Sequence, residues 1–181
     1  MTISLVEQLH IPQILDIYAP FVLQTTTSFE TEVPDLKAFE KRVLDYARSA
    51  PWLVALEGDT VLGYAYATAH RSRGAYRWNQ EVTVYVHPDH RKKGIARALY
   101  KKLLTLLTTM GYTKALAIIT LPNEASLGFH QALGFKHIGD MPDIGFKFGK
   151  WHTTSWWHKP LQVAGYEPSG VLTVDQIRNQ V

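Results

Sequence analysis

The stretch from Val84 to Met110 constrains this chain more than any other: a strand runs through a short basic loop into a long amphipathic helix. Val84-Tyr85-Val86 is β-branched and aromatic, which suits a pleated strand. His87-Pro88-Asp89 ends it, because proline has no N–H for a ladder. From Ile95 the apolar residues recur at helical spacing, at Leu99, Leu103, Leu106 and Met110. Gly111 stands where a helix takes a left-handed closing residue. Between strand and helix lie Arg91, Lys92, Lys93, Gly94, Ile95, Ala96 and Arg97. A helix start offers unpaired N–H groups at the positive end of a dipole. Gly94 and Ala96 leave that backbone uncovered, with three cations just upstream. Such a loop can hold an anion, most simply a pyrophosphate. The plainer alternative is a basic helix cap that binds nothing. The spacing is neither that of a Walker loop nor that of a dinucleotide fingerprint.

The 181 residues suit one domain with a substantial core, expected over residues 1–162 with a loosely structured tail at 163–181. An apolar content of 46% against 19% charged is that of a globular chain. A net charge of +3 is too small to indicate nucleic acid without a patch. Nucleic-acid grooves interleave cations with stacking aromatics. Here the cations gather at one loop and the aromatics lie elsewhere, so no nucleic-acid partner is expected. The absence of cysteine excludes disulfides, zinc–thiolate sites and a cysteine nucleophile. His87 and His90 lack a third ligand in the sequence, so no metal is expected. The N-terminus has no signal-peptide pattern. No stretch reaches the roughly 18 apolar residues of a spanning helix. These features predict a soluble, cytoplasmic protein without a membrane partner.

In chain order the patterns predict a strand at Thr2–Val6, a helix opened by Pro12 and ending near Leu23, and a second helix capped by Pro34-Asp35 and running to Ser49. A hairpin follows, Trp52–Glu57 and Val61–Ala69 about a Gly58-Asp59 turn. His70–Arg77 is a basic loop, and Trp78–Val86 is the strand feeding the anion loop. After the central helix come a strand at Lys114–Thr120, a short helix from Pro122-Asn123 to Gly134, and strands at Phe135–Asp140 and Trp151–Lys159. This order implies a mixed, mostly antiparallel sheet with helices on both faces, an α/β fold.

Arg91-x-x-Gly94-x-Ala96 resembles the Q/R-x-x-G-x-G/A pyrophosphate loop of the GNAT superfamily of N-acetyltransferases. Asn123 to Phe135 is similar to the superfamily's N-x-x-A/S-x-x-L/F-Y-x-x-x-G-F, with His130 where many members carry tyrosine. The element order matches over about residues 2–160. Trp78, Glu81, Thr83 to Val86, Pro88 and His90, then Leu121-Pro122-Asn123, then Gly145 to His152, look like the phosphinothricin and methionine sulfoximine acetyltransferase subfamily. The resemblance implies acetyl-CoA as cofactor, a homodimer, and a small amino-acid analogue as the amine that is acetylated. It implies that Val84, Tyr85, Val86 and the loop Arg91 to Arg97 hold acetyl-CoA. It further implies that the Asn123 amide bonds the pantetheine chain, and that Phe29, Arg73 and Tyr76 join Glu81 at the amine site.

Each side chain also has a plainer reading. Glu81 interrupts an apolar strand, either on a solvated face or as the base that takes the amine's proton, directly or through water. His130 is either a satisfied histidine or the acid that protonates the leaving thiolate. Backbone N–H groups around Tyr85 would hold the thioester oxygen. Arg73 could neutralise a substrate carboxylate with a bidentate fork, or be solvated like Arg71 and Arg77. Phe29 could wall the acceptor pocket or belong to the core. Trp151, Trp156 and Trp157 read as core and interface packing, and Lys101 and Lys102 as the outer face of the central helix. Two other activities stay open: a module that holds coenzyme A without turnover, and acetylation of a polyamine or a protein N-terminus.

Overall fold

The strand ahead of the basic loop lies in the middle of a sheet, and its alternating side chains divide the core in two. The computed structural model describes residues 1–163, 168 and 170–181. In chain order the elements are β1 (Thr2–Leu5), α1 (Ile11–Gln24), α2 (Leu36–Ser49), β2 (Trp52–Glu57), β3 (Thr60–Ala69), β4 (Asn79–Val86), α3 (Ile95–Met110), β5 (Lys114–Thr120), α4 (Glu124–Ala132), β6 (Lys136–Lys147), β7 (Lys150–Pro160) and α5 (Val174–Ile177). Among the described residues the seven strands form one sheet in the order β1-β2-β3-β4-β5-β7-β6. Neighbours pair antiparallel except β4 with β5. The α/β architecture and element order are those expected from the sequence.

Successive strand residues face opposite sides of a sheet. Val82, Val84 and Val86 therefore pack with α3, whose Ile95, Leu99, Leu103, Leu106 and Met110 are all buried. Tyr85 points the other way, into a second core built by α1 and α2 with Trp52, Val54 and Tyr64. Glu81 and Thr83 share that second face. Local signals set the helices. Pro12 lies in the first turn of α1, where a missing N–H costs nothing. Asp35 caps α2 by accepting from the Ala38 N–H at 2.8 Å, a contact that contributes about 1 kcal/mol.

Two expectations need correction. Residues after Pro160 are not all loose: Val174 and Ile177 of α5 are buried against the α3 core, and Leu172 N–H donates to the Met110 carbonyl at 2.8 Å. Two apolar residues three apart make a helix too short for periodicity to reveal. The sixth strand also runs past Asp140 to Lys147, through Pro142. Pairing jumps from Met141↔Thr154 to Gly145↔His152, so residues 142–144 stand opposite Thr153 alone. Proline and the left-handed Asp143 (φ 50°) are tolerated at this bulge on an edge strand. The bulge bends the β6–β7 hairpin.

Candidate active site

The site begins where β4 and β5 part. They pair only at Asn79↔Lys114, Gln80↔Ala115 and Glu81↔Leu116, while β4 continues along β3 as far as Val86. His70 N–H bonds the Asn79 carbonyl and His87 N–H the Leu62 carbonyl. These two bonds fix the phase of the antiparallel ladder. Odd-numbered residues of β4 turn their backbone groups to β3, and Val82, Val84 and Val86 turn theirs toward β5. The Glu81↔Leu116 pairing still engages the Val82 N–H, and the β4–β5 pairing stops there. The Tyr100 hydroxyl donates to the Val82 carbonyl at 3.0 Å, occupying the acceptor a continued ladder would have used. The N–H groups of Val84 and Val86 are left facing a wedge. Tyr85's own N–H faces β3, so of the N–H groups expected around Tyr85 it is those of Val84 and Val86 that face the cleft.

The wedge is a cleft of about 680 Å³. Val82 to Val86 form one wall and Ala117, Ile118 and Ile119 of β5 the other. Phe21 of α1 and Thr25 and Thr27 of the following loop also line it, Phe21 beside the basic loop. Arg91, Lys92, Gly94, Ile95, Ala96 and Arg97 line it, whereas Lys93 does not and instead approaches His90. Gly94 is the N-cap of α3 with φ 80°. A side chain costs roughly 1–2 kcal/mol in that left-handed region. A Cβ built there meets nothing within 4 Å, so the space beside the helix start is open. The guanidinium of Arg91 lies 5.4 Å from the Phe21 ring centre, which steadies a cation at the rim.

Asn123 caps α4 by accepting from Ser126 N–H at 3.1 Å through Oδ1. That bond fixes the amide plane and leaves its NH2 as a donor on the cleft wall. His130 lies on the same wall and is buried. Its Nδ1 is 2.8 Å from the Ser126 carbonyl, which requires a proton there, and its Nε2 is 3.1 Å from the Tyr100 hydroxyl. Burial holds the imidazole below the usual histidine range, against the opposing pull of the Ser126 carbonyl. A neutral ring in this setting has its only N–H committed to a carbonyl.

Glu81, Arg73, Tyr76 and Phe29 do not line this cleft. Glu81 sits at the fork of the wedge, on the α1–α2 face, with its side chain partly exposed. Its Oε1 is 2.7 Å from His70 Nδ1. The His70 ring makes edge contacts with Tyr76 at 5.9 Å and Trp156 at 6.1 Å. Glu81 and Tyr76 are thus joined through His70, a residue that nothing in its sequence neighbourhood marks out. Arg73 is exposed at the start of the same turn as Tyr76. Arg77 stacks on Trp78 at 4.2 Å, which separates it from Arg73 in role. Phe29, 38% exposed, is not core. Its ring lies over Gly145 in β6, near His152.

The structure thus brings together a parallel pair that opens after Glu81, a cationic helix start lining the resulting cleft, and a carboxylate at the fork. The acetyltransferase (GNAT) family model matches residues 13–135. The chain is 38% identical to the phosphinothricin N-acetyltransferase of Alcaligenes faecalis, over 88% of this chain and 82% of that protein. It is 35% identical to the L-methionine sulfoximine/L-methionine sulfone acetyltransferase of Salmonella typhimurium, over 83% and 89%. Its fold matches the phosphinothricin acetyltransferase of Sinorhizobium meliloti solved with acetyl-CoA, with TM-score 0.87, 33% identity and 94% of each chain covered. The chain belongs to the acetyltransferase (GNAT) family.

Proposed function

We propose that this chain transfers an acetyl group from acetyl-CoA to the α-amine of a small amino-acid analogue of the phosphinothricin, methionine sulfoximine or methionine sulfone kind, by direct attack with both substrates bound. The observation that carries the reading is the wedge between β4 and β5 that ends at the start of α3. Its unpaired strand N–H groups suit the amide-bearing arm of the carrier, as an added strand would. The open space at Gly94 suits its pyrophosphate. The relatives' substrates supply the acceptor class.

Acetyl-CoA supplies an activated acetyl thioester. The Val84 and Val86 N–H groups lie about 6.8 Å apart along the strand, so one would donate to the thioester carbonyl oxygen as charge develops there and the other to an amide of the carrier's arm. Glu81 takes the proton that the ammonium must lose before its nitrogen can attack. Strand residues rise about 3.4 Å each, so Glu81 and Val84 are roughly 10 Å apart along β4. A glutamate side chain does not span that distance, so the proton passes through bridging water. His70 holds the carboxylate in place through Oε1, leaving the other oxygen for that water. With its N–H committed to the Ser126 carbonyl, His130 shapes the wall beside Tyr100, and Glu81 takes the proton from the ammonium.

Arg73 neutralises the acceptor's carboxylate, and Phe29 and Tyr76 flank its side chain. Arg73→Ala is expected to raise KM for amino-acid analogues more than tenfold, about 1.4 kcal/mol, while sparing analogues whose carboxylate is amidated. Steady-state kinetics on each acid and its amide check this. Equal losses on both, or none on either, would remove Arg73 from the site.

The protein works as a cytoplasmic homodimer in this reading. The β6–β7 hairpin exposes Ile138, Met141, Ile144, Phe146, Phe148 and Trp151 beside the uncovered edge of β6. An apolar patch on an open strand edge is a surface that a second copy would cover. Among the described residues no helix is long and apolar enough to cross a membrane.

A further inference from the structure

Lys147 ends β6 with its amine inside the protein, 4% exposed. Its Nζ donates to three carbonyls: Val22 at 2.7 Å, Thr25 at 2.9 Å and Ser28 at 2.7 Å. An ammonium has three protons to donate, and all three are used. Val22 is in the last turn of α1, where carbonyls lack helical partners and the dipole is negative. Thr25 and Ser28 belong to the loop that follows, which carries Phe29. One cation thus ties the hairpin to the end of a helix and to the loop behind it.

Gly145, two residues earlier on the same strand face, meets that loop as well. A Cβ at Gly145 would collide with Phe29 Cε2 and lie 2.6 Å from its Cζ. The ring rests directly on the strand backbone, and any side chain at 145 would push it away. His152, paired opposite Gly145, donates from Nε2 to the Lys147 carbonyl at 2.9 Å, and its ring centre is 6.2 Å from that of Phe29. The Ser28 hydroxyl bonds that of Tyr18 at 2.6 Å. Phe29 is therefore set by the hairpin on one side and by α1 on the other.

We propose that Lys147 and Gly145 form a latch that fixes the loop between α1 and α2, and through the position of Phe29 determines which acceptors fit. The inference rests on the reading above that Phe29 walls the acceptor pocket. Both are positioning residues, remote from the reacting atoms. Acceptor recognition and carrier recognition are then separable: the latch acts on the first, and the β4–β5 wedge with the loop at Gly94 acts on the second.

The test is steady-state kinetics of Phe29→Leu, Gly145→Ala and their double variant, with Lys147→Met and Lys147→Arg beside them, on phosphinothricin and methionine sulfone as acceptors. Gly145→Ala is expected to raise the acceptor KM about tenfold, with kcat and the acetyl-CoA KM within about twofold, the pattern of lost acceptor binding. The double variant is expected to return to the KM of Phe29→Leu alone, because the smaller side chain gives back the space. Lys147→Met is expected to raise the same KM, and Lys147→Arg to recover part of it. A structural defect would spread over both substrates and would not be rescued at position 29. An unchanged acceptor KM in Gly145→Ala, or an equal rise in the acetyl-CoA KM, overturns the latch, and this arm decides even where Lys147→Met fails to fold. If Phe29→Leu alone changes nothing, the acceptor role of Phe29 falls and the latch with it. A change in Phe29→Leu with none in Gly145→Ala removes the latch only.

Discussion

Glu81→Gln is expected to leave acetyl-CoA affinity unchanged and to lower kcat by about 100-fold or more, the range lost with a general base. The amide has the shape of the carboxylate, and its oxygen can still accept from His70 Nδ1, whose bond to Glu81 is 2.7 Å long. What it lacks is the capacity to take a proton. The acceptor is an ammonium at neutral pH, so without a base only its small deprotonated fraction reacts. Activity in the variant should therefore climb as pH rises and supplies free amine. Isothermal titration with acetyl-CoA and pH-dependent turnover separate the two effects. Full activity across pH would move the base away from Glu81.

The second large effect is expected at the helix start. Gly94→Val should weaken acetyl-CoA binding well over tenfold, above about 1.4 kcal/mol. Two causes add. A β-branched residue is strained at the observed φ of 80°, so the loop that presents the α3 N–H groups must shift. Its side chain would also enter the open space beside the helix start. Within the free protein a Cβ meets nothing within 4 Å, so the damage is to the ligand's space and the loop's conformation, and the core is spared. Thermal melts near wild type with a raised dissociation constant are the expected pair of results. Wild-type binding would show that the loop does not hold the pyrophosphate.

Local chemistry carried most of the fold. The strand, loop and helix around Gly94, the Asp35 cap and the β2–β3 hairpin were legible because each depends on neighbours in sequence. The parting of β4 and β5 was not, because it depends on where β4 stops pairing with a strand that lies 35 residues on, at Glu81↔Leu116. With it went the choice of Val84 and Val86 over Tyr85 as the donors that face the cleft. His70 reads as one more basic residue in a loop until β3 and β4 pair and bring it to Glu81. Lys147 is an ordinary lysine near the end of a strand, and its partners lie 119 to 125 residues earlier. The docking of α5 was hidden for a different reason: four residues cannot display a period. Long-range polar contacts and very short elements leave no pattern in a window of sequence, and the contacts of His70 and Lys147 are of that kind.

The central claim is that acetyl leaves acetyl-CoA for the α-amine of a small amino-acid analogue. The most direct measurement follows coenzyme A release by the wild-type protein with phosphinothricin, methionine sulfoximine and methionine sulfone, beside their carboxamides, a polyamine and a short peptide with a free N-terminus. Thiol release well above the amine-free rate with at least one free amino-acid analogue, and weaker release with its carboxamide, is the predicted result. Release driven by the polyamine or the peptide and by none of the analogues, or release independent of any amine, would contradict it.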